Sequence, residues 1–157
     1  NDFAHRGLAE QIQAHSLTRE YRAVVYGNVK QDEGTVDAPV GRHPVERKKM
    51  AVLRGSPTAR EAVTHFFVEE RLRLQLETGR THQIRVHMAS LGHPVAGDAV
   101  YGPKKVLTEL NGQCLHAGLV GFVHPRTGAY MEFSAGLPEY FQGFLVKLRK
   151  KGGLTND

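Results

Sequence analysis

Apolar side chains at Phe3, Ala4, Leu8 and Ile12, with Glu10, Gln11 and Gln13 outside that stripe, have the spacing of one face of a short amphipathic helix. The pattern then changes to strand-like runs. Glu20 to Tyr26 is rich in Tyr and Val and stops at Gly27-Asn28, and Gly34 to Val40 reads as an extended piece closed by Pro39 and Gly41. Met50 to Leu53 follows a basic loop and leads into a Gly-Ser-Pro turn at Gly55 to Pro57. Ala62 to Val68 is a further β-rich run. Arg71 to Glu77 alternates, with Leu72, Leu74 and Leu76 on one face and Arg71, Arg73, Gln75 and Glu77 on the other, the signature of a half-buried strand. No Gly, Pro, Asn or Asp separates these two runs, so the expectation is one long strand or, preferably, a hairpin whose tip is missing from the sequence.

Thr81 is placed to cap a helix with the stripe Ile84, Met88 and Leu91, and Gly92 stands where a helix stops. His93 to Gly102 is irregular. Leu115 to Val123 and Ala129 to Phe133 flank Pro125-Arg126-Thr127-Gly128 and predict a hairpin. Pro138 suits a first helical turn, Phe141, Phe144, Leu145 and Leu148 form a stripe, and Lys147, Arg149, Lys150 and Lys151 favour the helix C-terminus; from Gly152 the chain should fray. Several strands with few helices and short connections predict an α+β fold, a mixed and largely antiparallel sheet with flanking helices, in one domain spanning 1–157.

With 157 residues, 40% of them hydrophobic, the chain can bury one core. The single cysteine, Cys114, rules out an internal disulfide, and no apolar run approaches the ~20 residues that cross a bilayer, so a cytoplasmic protein without a membrane partner is the expectation, and a monomer is expected with it. The net charge of +5 suits a polyanionic partner. Its densest part is Arg42 to Lys49, a loop that reads equally as a solvated turn or as a contact for phosphates.

The chemistry concentrates in Leu76 to His87. Arg80 and Arg85 sit before and inside the first turns of the predicted helix, where the dipole is positive and a cation costs roughly 0.3–1 kcal/mol unless an anion offsets it. A structural acid and a functional anion are equally weighted partners. Thr78-Gly79-Arg80-Thr81-His82-Gln83-Ile84-Arg85-Val86-His87, then Leu91-Gly92-His93-Pro94 and Gly97-Asp98-x-x-Tyr101-Gly102, resembles the third conserved block of RluA/RluD-type RNA pseudouridine synthases. Thr18 to Ala23 resembles the second block, Gly41 to Pro44 with Arg47 and Met50 the block after it, and Leu115 to Ala117 with His124 to Gly128 the terminal hairpin.

The resemblance implies a pseudouridine synthase fold, incomplete here, and isomerisation of uridine in ribosomal or transfer RNA without cofactor or metal. It identifies Tyr21 as the tyrosine near the target base, Arg85 as the cation that pairs with a nucleophilic aspartate, and Leu115 as an apolar border of the uracil pocket. Arg42, His43, Arg47, Lys48, Arg80 and His82 are the implied RNA contacts. The attacking aspartate belongs to an His-Arg-Leu-Asp block, a string these residues do not contain, and Asp98 reads as a turn-stabilising acid. The expectation is therefore the C-terminal part of a catalytic domain, inactive alone. A non-catalytic basic RNA-binding module is the alternative. Metal catalysis ranks low, because His82 and His87 are five apart and no His-Glu-x-x-His string occurs.

Overall fold

The computed structural model describes residues 1–105, 107 and 110–151. Among these, the elements run α1 (Asp2–Gln13), β1 (Thr18–Ala23), β2 (Glu33–Asp37), β3 (Val40–Arg42), β4 (Met50–Val52), β5 (Val63–Val68), β6 (Leu72–Leu76), α2 (Gln83–Ser90), β7 (Leu115–Val123), β8 (Tyr130–Ser134) and α3 (Glu139–Lys150). Six strands form one sheet in the order β2-β5-β6-β1-β7-β8, antiparallel at every pairing, and β3 and β4 form a separate hairpin. This is the α+β architecture expected.

Alternation decides which face is buried. Leu72, Leu74 and Leu76 of β6 lie beside Ala23, with Leu74 opposite Tyr21, and close a core with Phe66 of β5 and Ile84 and Met88 of α2. Each fully buried Leu or Phe contributes about 1.5–3 kcal/mol relative to exposure. The other sheet face is ionic: Glu20 lies between Arg22 at 2.5 Å and Arg73 at 3.8 Å, and Arg73 also reaches Glu69 at 3.1 Å. The α3 stripe behaves as expected, with Phe141, Phe144 and Leu145 packed on Val24, Ala96 and Cys114.

Several expectations are corrected. The β5 and β6 runs are separate strands joined by Glu69-Glu70-Arg71, with Val68 opposite Leu72 and the Glu69 N–H donating to Arg71 O at 3.1 Å. The tip turns without Gly, Pro, Asn or Asp, and its two acids are paired, Glu69 with Arg73 and Glu70 with Arg149. The Glu20–Tyr26 run leaves the sheet after Ala23, where Tyr26 N–H bonds Pro94 O instead. The Gly34–Val40 run divides at Ala38-Pro39 into β2 and β3. Leu91 is a 44% exposed C-cap and not part of the buried stripe, whereas Gly92 takes the left-handed φ of 83° that ends the helix. Pro138 is the N-cap of α3 and not a first-turn residue. The fraying expected from Gly152 lies outside the described residues.

Helix α1 forms where predicted, yet none of its residues is buried, and Phe3 and Ile12 are 51% and 48% exposed. It is held mainly by a side-chain amide. Gln11 donates to Val123 O at 2.6 Å and accepts from Val123 N–H at 2.7 Å, filling a backbone donor and acceptor at the end of β7, while Gly7 lies against Pro125.

Candidate active site

Residues from β1, β6, α2 and β7 converge on one cleft of about 380 Å³, lined by Arg19, Tyr21, Leu76, Gly79, Arg80, His82, Gln83, Ile84, Arg85, Gln113 and Leu115. Tyr21, Arg85 and Leu115, far apart in sequence, therefore share a wall-to-wall space with Arg80 and His82. The strands explain part of this. Tyr21 stands opposite Leu74 on one side and Ala117 on the other, and Gly118 is an extra residue on β7 that shifts the register between Glu20 and Tyr21. Such bulges twist a strand and re-aim its side chains. A larger opening of about 590 Å³ between α1 and the β7–β8 turn contains none of the predicted site residues.

A buried amide shapes the segment that forms the rim. Gln83 accepts from the Thr78 hydroxyl at 2.7 Å and from Arg80 N–H at 3.0 Å, and donates to Val63 O at 3.0 Å and Thr64 Oγ1 at 2.9 Å. All four bonding positions of the amide are filled. The first turn is thus organised by Gln83. Thr81 is not the cap: the N-cap is His82, a non-glycine residue at φ 55°, and Thr81 is exposed.

His87, also in the motif, turns inward. Its Nε2 must donate to Ala38 O at 2.8 Å, so the neutral ring accepts from the Thr64 hydroxyl through Nδ1 at 2.8 Å. Burial holds its pKa below the ordinary histidine value, with a smaller contribution from the Arg54 charge, against the opposing effects of Ala38 O and Asp37. A buried base with a depressed pKa stabilises the fold above the unfolded value of about 6.5. That stability is lost as pH falls through the folded value. The thermal midpoint should therefore drop on acidification below about pH 6.5, and the His87 ring resonances in an NMR titration should shift only below it. Titration at or above that value would contradict the buried neutral ring.

Arg85 finds an acid, but within the chain. Its Nε donates to Asp98 Oδ2 at 2.7 Å and its Nη2 to Asp98 Oδ1 at 2.9 Å, and the guanidinium lies 5.0 Å from the Tyr101 ring centroid. Asp98 also accepts the Val100 and Tyr101 N–H groups at 2.9 and 3.0 Å, the turn role its Gly-Asp context predicts. Burial pushes its carboxyl up, but Arg85 and the two N–H groups outweigh burial and hold it below the ordinary carboxylate value. Nη1 of Arg85 has no hydrogen bond among the described residues, and Arg85 is part of the cleft lining.

His82 is tied to the same cluster. The Tyr101 hydroxyl accepts Met50 N–H at 2.8 Å and shares a hydrogen bond with His82 Nδ1 at 2.8 Å, so the His82 tautomer sets which of the two gives the proton. Burial and then the Arg85 charge lower the His82 pKa; Asp98 opposes, and Arg42 adds to the lowering. Arg42 therefore acts on the site electrostatically, whereas His43, Arg47 and Lys48 lie on the β3–β4 loop outside the cleft lining. His43 has a local task, accepting Val45 and Glu46 N–H groups at 3.2 and 3.0 Å.

Arg19, Leu76, Gly79, Gln83, Ile84 and Gln113 line the cleft without a site role in the sequence reading, and four of these lie in the Leu76–His87 stretch. Arg19 was legible in principle, because alternation along β1 places it on the face of Tyr21. Gln113, from an irregular segment, carried no comparable signal. Burial pushes the Cys114 thiol up to about 12, which makes it a packing residue. Among the described residues, no three His, Cys, Asp or Glu side chains gather as a metal site, and no helix is long and apolar enough to cross a membrane.

Comparison with known proteins agrees with this geometry. Two human proteins, RNA pseudouridylate synthase domain containing 1 and 4, superpose with a TM-score of 0.72 each at 23% and 24% identity, covering 95% of this chain and 72% and 68% of theirs. The uncharacterized RNA pseudouridine synthase YlyB of Bacillus subtilis is 51% identical over 158 residues, 97% of this chain and 51% of the relative. Ribosomal large subunit pseudouridine synthase D of Escherichia coli is 44% identical, over 87% of this chain and 46% of the relative. The chain thus spans about half the length of these curated relatives. The RNA pseudouridylate synthase profile matches residues 1–90, from α1 to the end of α2. With the profile matching more than half of the chain and YlyB 51% identical over 97% of it, the chain belongs to the RNA pseudouridylate synthase family.

Proposed function

We propose that this chain forms the substrate side of a uridine-isomerising active site in an RNA pseudouridine synthase, with ribosomal RNA as the favoured substrate class because several relatives are named ribosomal large subunit pseudouridine synthase D. The observation that carries the reading is the convergence of Tyr21, Arg85 and Leu115 on one cleft. Tyr21 offers a ring for stacking an extruded base and a phenol within reach of it. Leu115 with Leu76 gives the base an apolar border, and Nη1 of Arg85 holds an attacking carboxylate in its ionised form. Arg80 and His82 present donors at the rim, and Arg42, His43, Arg47 and Lys48 extend a basic surface along the β3–β4 hairpin.

The attacking carboxylate belongs to a block these residues do not contain, so turnover requires a polypeptide that supplies it. The 157-residue chain alone should bind RNA and form no pseudouridine, as read by carbodiimide-dependent primer extension. In the enzyme that carries the aspartate block, Tyr21→Phe should leave RNA affinity within twofold and reduce turnover by about 10²–10⁴-fold if the phenol moves a proton. Unchanged turnover would confine Tyr21 to stacking. Turnover by the chain alone would overturn the division of roles.

A further inference from the structure

The arginines of this chain divide by what faces them. Arg22, Arg73, Arg85 and Arg149 each reach a carboxylate. Arg19 and Arg80, both in the cleft wall, reach only carbonyls: Arg19 Nη2 lies 3.4 Å from Glu77 O, and Arg80 Nε lies 2.8 Å from Glu61 O. The Arg19 Nε is buried with no hydrogen-bond partner. Burial lowers the Arg19 pKa, and no carboxylate is among the charges acting on it; Arg80 is lowered by burial and by Arg60, partly offset by Glu61, and further by Arg19 itself. Two guanidiniums that line one cleft close to the same residue, Gly79, repel each other, and an anion between them offsets that repulsion.

Gly79 separates the two arginines in the chain, and a Cβ built on it would collide with Nη1 of Arg19. Its φ is not in the left-handed region, so the backbone would accept alanine. The bare residue leaves room for the guanidinium, not for a turn.

We propose that Arg19 and Arg80 clamp a phosphodiester of the RNA strand beside the extruded nucleotide, with Gly79 keeping the Arg19 guanidinium in place. The inference rests on the cleft taking RNA, and names the part of the RNA that two of its walls hold. Arg19 and Arg80 are thereby binding residues, and Gly79 is the positioning residue that acts through Arg19.

The test is binding of a labelled uridine-containing RNA stem-loop to the chain, by fluorescence anisotropy at several salt concentrations. Arg19→Gln and Arg80→Gln should each weaken binding about tenfold and reduce the slope of log K against log salt by about 0.7. Gly79→Ala, which keeps every charge, should weaken binding in the same direction by displacing Arg19, and Arg19→Lys should retain the slope. A neutral methylphosphonate at one linkage beside the target uridine should cost the wild type about tenfold and Arg19→Gln nothing further. An unchanged slope in Arg19→Gln, or equal methylphosphonate penalties in both proteins, overturns the clamp. Should the Arg19 variants fail to fold, the wild type and Gly79→Ala decide, and wild-type indifference to every methylphosphonate then overturns it. Pseudouridine formation by the enzyme carrying the aspartate block is read separately. Coupling without turnover upholds the clamp and rejects the isomerase reading; turnover without coupling does the reverse.

Discussion

Arg85→Leu should lower folding stability by about 3–5 kcal/mol, the usual cost of leaving a buried charge without its partner. The Asp98 side chain is 0% exposed, and Arg85 supplies two of the four hydrogen bonds its oxygens accept, at 2.7 and 2.9 Å. Removing the guanidinium leaves the Val100 and Tyr101 N–H groups as the remaining donors. Urea denaturation at pH 7 measures the loss. Adding Asp98→Asn should recover part of it, because an amide keeps the acceptor for both N–H groups without needing a cation. The pH dependence has a defined sign. In the wild type Asp98 has a depressed pKa, so its contribution is present above the unfolded value of about 3.9 and is lost as pH falls through the folded one. The gap between wild type and Arg85→Leu should therefore narrow in acid. A midpoint within 0.5 kcal/mol of wild type at pH 7 would show that the pair does not hold the turn.

The sequence places Arg85 in a helix that calls for an anion, and a structural acid and a functional one were equally good partners on that basis. The structure supplies the structural one, Asp98, and the functional one is the carboxylate proposed above. An Arg, and not a Lys, suits both demands, since the planar fork binds Asp98 along one edge while a further donor stays free. Arg85→Lys should thus retain some charge in the cleft yet lose the two-point contact with Asp98.

The legible parts were those governed by a single short period. Leu72, Leu74 and Leu76 announced their face, and the Phe141, Phe144 and Leu145 stripe announced its helix, because burial repeats every two residues in one and every three to four in the other. The illegible parts depend on partners distant in sequence. The β5–β6 tip lacks turn residues but is held by Arg73 and Arg149, and no local rule anticipates an arginine from the last helix. Likewise α1 has an amphipathic pattern whose stripe stays largely exposed, while Gln11, from its polar set, makes the tie to β7. Motif resemblance singled out Tyr21, Arg85 and Leu115, which the fold brings to one cleft, whereas the hydrogen-bond partners of Thr78, Gln83 and His87 required coordinates. Hydrogen-bond satisfaction is a three-dimensional property that spacing does not express.

Gln83→Leu tests that last point with the second large effect. The substitution keeps the volume roughly constant but removes two donors and two acceptors, exposing Thr78, Arg80, Val63 and Thr64 groups to loss of their partner. Each buried polar group left unsatisfied costs about 1–3 kcal/mol, and groups near the cleft can recruit water, so a total on the order of 3–5 kcal/mol is expected. The consequence for binding is separate from stability. Arg80 N–H is tethered to the Gln83 oxygen, and His82 lies between them in the left-handed region. Loss of the tether should let the rim relax, so that RNA affinity falls even in protein that remains folded, and Arg80 amide hydrogen exchange accelerates beyond the global change. Stability loss with unchanged affinity would make the network a core element only. Within α2, which turns about 100° per residue, Gln83 and His87 are buried and bond to β5 and Ala38 while Arg85 lines the cleft, and Gln83 also fixes the segment before the helix from which Arg80 and His82 reach it. Binding by the outward set is therefore expected to fail first through the inward one.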